Sequence, residues 1–275
     1  MTMKLEGRLG NNMFQYAALR GLAARTGHRA ILPSSFVKLR SAFHLNIPIS
    51  DRILNENKFV HHSEHYGDPE VNETIGNITL LTKTNVFLRG YFESYLYFDN
   101  VRKFIREEFT FSESLQKRAS DFLIKRLHRG INVTTVGVHV RMGDMPKILE
   151  NQGWILPPLT YFYRAMDYFR SRYDNVHFIL CSDDKRWLER NLVSRYPERV
   201  IVSNEEDGYL DLAILTSCNH MIISRGTFGW WAGWLIDGIT VYYKHYHPSR
   251  SFAAINHPYW SYIPRDEYNH WVAIE

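Results

Sequence analysis

Two rhythms of apolar and polar positions run along this chain. Short runs rich in β-branched and aromatic residues recur, and between them apolar residues return every three or four positions, the spacing of one helical face. Residues 3–5 read as a strand, 7–12 as a loop and 13–25 as a helix, with Arg25 in its last turn and Gly27 as its stop. HRAILP then reads as a returning strand, which makes a β-loop-α-β unit at the N-terminus. Residues 36–85 are less regular and few elements are placed there. NVFLRGYFESYLYF alternates aromatic and polar residues around Gly90 and predicts a strand, a turn and a helix. Residues 101–128 are charged and amphipathic, and predict helices that close a first domain.

After HRGIN (128–132), read as a linker, the alternation becomes regular. VTTVGVHV predicts a buried strand, because an unbroken β-branched run suits a sheet covered on both faces. Residues 161–173 predict a helix, NVHFIL a strand, and DDKRWLERNLVSRY a helix with Ser182 or Asp183 as its cap. RVIVS, HMIIS and ITVYYK predict strands, the last closing the sheet. DGYLDLAILTSCN and GTFGWWAGWLI predict helices, the second fed by a glycine loop. Strand-helix alternation of this kind argues for an α/β protein with a parallel, doubly wound sheet. The expected domains are 1–128 and 129–275.

Composition adds little to this picture. At 45% hydrophobic and 23% charged residues the 275-residue chain is globular, and a net charge of +4 argues against nucleic acid while suiting a small anionic ligand. The 15% aromatic content fits cores and sugar-binding walls alike. Cys181 and Cys218 read as buried free thiols in preference to a bridge formed in an oxidising compartment, and no Cys/His spacing fits zinc. No stretch approaches the ~20 apolar residues of a membrane span. Asn72, Asn77 and Asn132 head N-x-T sequons, candidate glycosylation sites.

Three segments carry candidate chemistry, each after an expected strand, where open α/β sheets bind ligands. VGVHVRMGD presents His139, Arg141 and Asp144. An arginine there can fork two bonds onto a phosphate; equally, His139 can be a satisfied core histidine and Arg141 can pair with Asp144. CSDDKRW presents Ser182, Asp183 and Asp184, as helix caps or as acceptors for a nucleobase or ribose. The chain has no D-x-D carboxylate pair of the kind that clamps a metal on a nucleotide sugar. SRGTFGWWAGWL offers Ser224, Gly226, Thr227 and Phe228 at a helix start, where backbone N–H groups suit phosphate. Trp230, Trp231 and Trp234 read as core or interface.

GRLGNNMFQYA, GYFES, VGVHVRMGD and DLAILTSCNHMIISRGTFGWWAGWL, in this order over nearly the whole chain, resemble the motifs of the galactoside α-1,2-L-fucosyltransferases, the animal-type branch of glycosyltransferase family 11. The resemblance implies two Rossmann-like domains of the GT-B type. It implies inverting transfer of L-fucose from GDP-β-L-fucose to O-2 of a terminal β-galactose on a glycan, with no cofactor and no metal. The GDP-fucose pocket would be built by the second domain from His139, Arg141, Ser182, Asp183, Asp184, Ser224, Gly226, Thr227 and Phe228. Arg141 and the backbone of residues 226–228 would stabilise the leaving diphosphate, and Asp144 and Glu150 are the candidate bases. Gly10, Asn11, Asn12, Gln15 and Tyr91 would line an acceptor cleft, against the alternative that the first motif is a tight turn with an asparagine cap. Where the family pattern is H-x-R-R-G-D, this chain has Met142 for the second arginine. That departure keeps a weak or purely GDP-fucose- or glycan-binding relative as an alternative, beside α-1,6 and protein-O fucosyltransferases. The family works on the Golgi lumen side behind a type II anchor. The sequence here starts at its first strand and is expected to be a trimmed piece, a fragment or an unusual member.

Overall fold

The computed structural model describes residues 1–50, 59–64, 71–81, 83–127, 133–143, 156–244 and 270–275. The chain divides into two compact units, the first spanning Met1–Ser112 and the second beginning at Glu113. Each is built around its own sheet.

Unit 1 holds a parallel sheet of β1 (Thr2–Met3), β2 (Val60–Ser63) and β3 (Val86–Arg89), in the order β1-β3-β2. Its main helix is α1 (Leu9–Thr26), followed by α2 (Val37–Ala42), α3 (Val71–Thr79) and α4 (Arg102–Glu108). Met13, Phe14, Tyr16, Ala17, Ala18, Leu19 and Leu22 of α1 are all inaccessible to solvent. A helix apolar on nearly every side is a buried one, so α1 runs through the core of the unit rather than over its surface. Gly27 ends it in the left-handed conformation (φ 70°), as expected from a glycine stop.

Unit 2 opens with α5 (Glu113–Arg126) and continues with β4 (Thr134–Val140), α6 (Leu159–Arg170), β5 (Val176–Ser182), α7 (Lys185–Asn191), β6 (Val200–Val202), α8 (Gly208–Thr216), β7 (His220–Ile223), α9 (Thr227–Leu235), β8 (Ile239–Tyr243) and β9 (His270–Ile274). Every pairing is parallel, and the strands lie in the order β6-β5-β4-β7-β8-β9. Counted within the unit this is 3-2-1-4-5-6, the order of a dinucleotide-binding Rossmann sheet. Val136, Val138 and Val140 pack with Tyr161, Phe162, Ala165, Met166 and Phe169 of α6 on one face. On the other, Gly137 lies against Leu215 of α8, and Gly233 of α9 against Thr240. Both faces are covered, which explains why β4 reads as an unbroken apolar run. Trp231 and Trp234 are fully buried, as expected of core residues.

Four departures from the expected elements bear on how the units are built. Helix α1 starts at Leu9, so Gly10, Asn11 and Asn12 form its first turn instead of a loop. HRAILP is not a strand: Leu32 makes one isolated bridge to Ile49. Pro33 and Pro48 flank that bridge, and without an N–H neither can extend a ladder. Helix α5 belongs to unit 2, where it packs on α8, and the expected boundary and linker at 128–132 lie outside the described residues. ITVYYK is not the last strand, because the terminal HWVAI forms β9 at the sheet edge.

Gly21 shows how tightly unit 1 is packed. A Cβ there would stand 2.2 Å from the Tyr97 carbonyl oxygen. Gly21→Ala is therefore expected to cost about 1–3 kcal/mol through a shift of α1 or the Tyr97 turn. Thermal or denaturant unfolding checks this, and an unchanged midpoint would contradict the packing.

Candidate functional site

In unit 2 the strand order reverses between β4 and β7, and a Rossmann sheet binds its ligand outside the carboxyl ends at that point. Most of the described candidates collect there. Ser224, just past β7, is buried, and its Oγ accepts the Arg141 N–H at 2.8 Å, while its own N–H donates to the His139 carbonyl at 3.0 Å. These two bonds lock the ends of β4 and β7 side by side.

Asp183, at the end of β5, holds the loop after β4. Its Oδ1 accepts the N–H groups of Met142 (2.8 Å) and Gly143 (3.1 Å), and its Oδ2 lies 3.2 Å from Arg141 Nη1. Arg141 thus pairs with Asp183, while Asp144 and Glu150, the candidate bases, lie outside the described residues. The same clamp requires glycine at 143, since a Cβ there would meet Asp183 Oδ2 at 2.7 Å. Asp184, not Ser182 or Asp183, caps α7 by accepting the Trp187 N–H at 2.9 Å. Ser182 Oγ accepts the Asp184 N–H at 3.0 Å and shapes the same turn.

His139 is buried, with its ring 5.0 Å from that of Phe228. Burial pulls its pKa down to about 4, with Asp183 opposing and Arg141 adding to the fall. At neutral pH it is an uncharged imidazole. A Cβ on Gly229 would stand 2.6 Å from His139 Nδ1, which accounts for glycine there. Gly226 caps α9 with φ 85° and ψ 160°, a conformation open to glycine, and a Cβ on it would meet nothing within 4 Å. Beyond it the first amides of α9, from Thr227 and Phe228, have no acceptor within the helix and suit an anion. Among the described residues no three His, Cys, Asp or Glu side chains group to hold a metal ion, and no helix is long and apolar enough to cross a membrane. Cys181 and Cys218 are buried free thiols.

The first motif makes a separate polar cluster in unit 1. Gln15 is fully buried: its Nε2 donates to the Gly90 carbonyl at 2.8 Å, and its Oε1 accepts the Glu6 N–H at 3.1 Å. Its amide is committed to tying the ends of β1 and β3. Asn12 Nδ2 donates to the Glu6 carbonyl (2.9 Å). Asn11 Oδ1 accepts the Arg8 N–H (3.3 Å), half of a capping box, and its Nδ2 donates to Glu93 Oε1 (2.5 Å). Gly7, at φ 77°, lies directly under the Asn11 side chain. Gly10 is buried in the first turn of α1, and Tyr91 is half-buried beside Gly90. The sequon residue Asn77 is exposed on α3; the Asn72 side chain and Asn132 lie outside the described residues.

Three charged residues were passed over in the sequence. Glu64 accepts hydrogen bonds from the Phe92 N–H and, at 2.7 Å, the Tyr97 hydroxyl. Phe92 there adopts φ 52°, rare for a bulky side chain and a mark of stored strain. Glu93 sits beside this pair, its carboxyl pushed up to about 7 by burial and by the Glu64 charge, against the pull of the Asn11 amide. Arg225, next to Ser224, is 3% exposed. Glu93 and Arg225 both stood inside motifs already singled out, GYFES and SRGTFG, which was signal enough to name them.

Residues 1–264 match the sequence model of glycosyl transferase family 11. Galactoside 2-alpha-L-fucosyltransferase SEC1 of Bos taurus is 32% identical over 287 residues, covering 99% of this chain and 73% of that protein. Galactoside alpha-(1,2)-fucosyltransferase 1 of Oryctolagus cuniculus is 34% identical over 291 residues, with the same two shares. Among solved structures, the NodZ alpha-1,6-fucosyltransferase soaked with GDP-fucose superposes with a TM-score of 0.58 at 14% identity, over 91% of this chain and 97% of that one. POFUT1 in complex with GDP gives 0.59 at 12% identity, over 86% and 94%. At such identities the likeness is one of fold, and the fold is that of a GT-B glycosyltransferase. Within that class, the chain belongs to glycosyl transferase family 11.

Glu93 sets a pH dependence. Its pKa is raised to about 7 from an ordinary 4.5, so the folded state binds this proton more tightly than the unfolded chain. The resulting stability is complete below the unfolded value and is lost as pH rises through the folded one. Melting temperature should therefore fall more steeply between about pH 5 and about pH 8 in the native protein than in Glu93→Gln. Parallel curves would contradict the raised pKa.

Proposed function

We propose that this protein is a galactoside α-1,2-fucosyltransferase. It transfers L-fucose from GDP-β-L-fucose to O-2 of a terminal β-galactose, with inversion and without a metal. The observation that carries the reading is the switch point of unit 2, where Arg141, the Gly226 turn and the start of α9 meet at the ends of β4 and β7. Family membership supports the reaction class. The α-1,2 linkage is supported by curated relatives 31–34% identical over 99% of the chain, as against 14% for the α-1,6 enzyme.

In this reading the guanosine diphosphate lies across the switch point. The acceptor oxygen forms its bond to fucose C1 on the face opposite the diphosphate. The C1–O bond to the β-phosphate breaks, and its electron pair stays on the phosphate oxygen. Arg141 and the first amides of α9 stabilise the charge that collects there. The acceptor proton passes to a carboxylate, for which Asp144 and Glu150 are the candidates. Neutral His139 packs the base of the site without adding to its charge. The family resemblance points to the Golgi lumen as the compartment.

A GDP-release assay tests this. GDP-fucose with lactose or N-acetyllactosamine should turn over, unaffected by a chelator, and a panel of galactosides giving no turnover would overturn the reading. Asp183→Ala frees the loop of Met142 and Gly143 and unpairs Arg141. It should lower kcat/KM by about tenfold to a hundredfold, as expected for loss of charge-assisted bonds.

A further inference from the structure

The hydrogen bonding between β4 and β7 ends in a side chain. The register of the two strands runs as far as His139 opposite Ile223. One residue on, the Ser224 N–H donates to the His139 carbonyl at 3.0 Å, and Ser224 Oγ accepts the Arg141 N–H at 2.8 Å. A hydroxyl thus stands where the ladder would next need a backbone carbonyl, and it carries the pairing as far as Arg141. The bond fixes the peptide plane between Val140 and Arg141, and with it the direction in which the Arg141 side chain leaves the strand.

Ser224 holds the start of α9 as well. Gly226, two residues on, caps that helix with φ 85° and ψ 160°. In its first turn Gly229 lies so close to His139 that a Cβ would stand 2.6 Å from Nδ1. Residues 139–141 therefore meet the α9 segment at two points, through Ser224 on the way into the helix and through His139 beneath Gly229. Arg141 and the first amides of α9 are the groups that the GDP-fucose reading sets against the diphosphate. One hydroxyl fixes how they stand to each other. Ser224 is 1% exposed and its oxygen already accepts the Arg141 N–H, which suits a support better than a ligand.

We propose that Ser224 is a positioning residue, whose buried hydroxyl sets Arg141 against the start of α9 and does not itself touch the donor. Ser224 was expected among the donor-binding residues; its committed oxygen moves it behind Arg141. The inference rests on the GDP-fucose reading of the site and names the residue through which Arg141 is aimed.

A double-substitution cycle tests this, read by calorimetric titration of the whole chain with GDP and with guanosine. Ser224→Ala removes the acceptor of the Arg141 N–H. It should weaken GDP by about threefold to thirtyfold and leave guanosine within about twofold, because only GDP carries the diphosphate. With Arg141→Gln already in place, Ser224→Ala should change GDP affinity by less than about twofold, since a residue that acts through Arg141 then has nothing to position. A serine with a structural role alone gives equal losses for GDP and guanosine, or the same loss of GDP with arginine or glutamine at position 141. Either result would overturn the inference, as would Ser224→Ala binding GDP within about twofold of the native protein. Native protein that binds no GDP, or Arg141→Gln that binds it as tightly as native, would instead overturn the donor reading beneath it.

Discussion

The carboxylate of Asp183 holds the centre of unit 2 together. One side chain at the end of β5 fixes two backbone N–H groups and one guanidinium on the neighbouring strand's loop. As an ion pair it is partly exposed and contributes modestly to stability. Its larger effect is geometric, because charge-assisted bonds to successive amides leave the loop after β4 one conformation. Gly143 is required by that clamp, Ser224 extends it to β7, and Gly229 lets the helix of the glycine turn settle on His139. The strand ends at which the sheet order reverses are thereby fixed before any ligand arrives, as preorganised electrostatic stabilisation requires.

Unit 1 uses the same device with different residues. Gln15 spends its amide on the Glu6 and Gly90 backbones, and Glu64 holds the turn at Phe92 in a strained conformation. The motif that looked like a ligand loop is in large part the means by which α1 is attached to its sheet. What remains polar and half-buried there, Asn11 with Glu93, is small and sensitive to protonation.

Strand-helix alternation made the second unit legible in the sequence, because each buried parallel strand is an apolar run bounded by turn residues. HRAILP failed because pattern alone does not register two prolines that cut a ladder to one bridge. β9 was missed because five residues at a chain end carry little periodicity. His139, Arg141, Asp183 and Gly226 were singled out from their places at or after the ends of expected strands, and the structure brings them to the carboxyl ends of the sheet. Their division of labour was not legible, since Asp183 clamps a loop from β5 and Asp184 caps α7, two roles that adjacent aspartates do not reveal. Arg225 escaped notice because an arginine beside a buried strand reads as surface until its burial is seen.

The proposed reaction, fucose transfer to O-2 of galactose with inversion, goes one step beyond family membership and the Rossmann sheet. The most direct test is the NMR spectrum of the product formed from GDP-β-L-fucose and N-acetyllactosamine. The account predicts a single new fucose residue with the α configuration, linked to O-2 of the galactose. Fucose on another hydroxyl or another sugar, or a β-linked product, would contradict it.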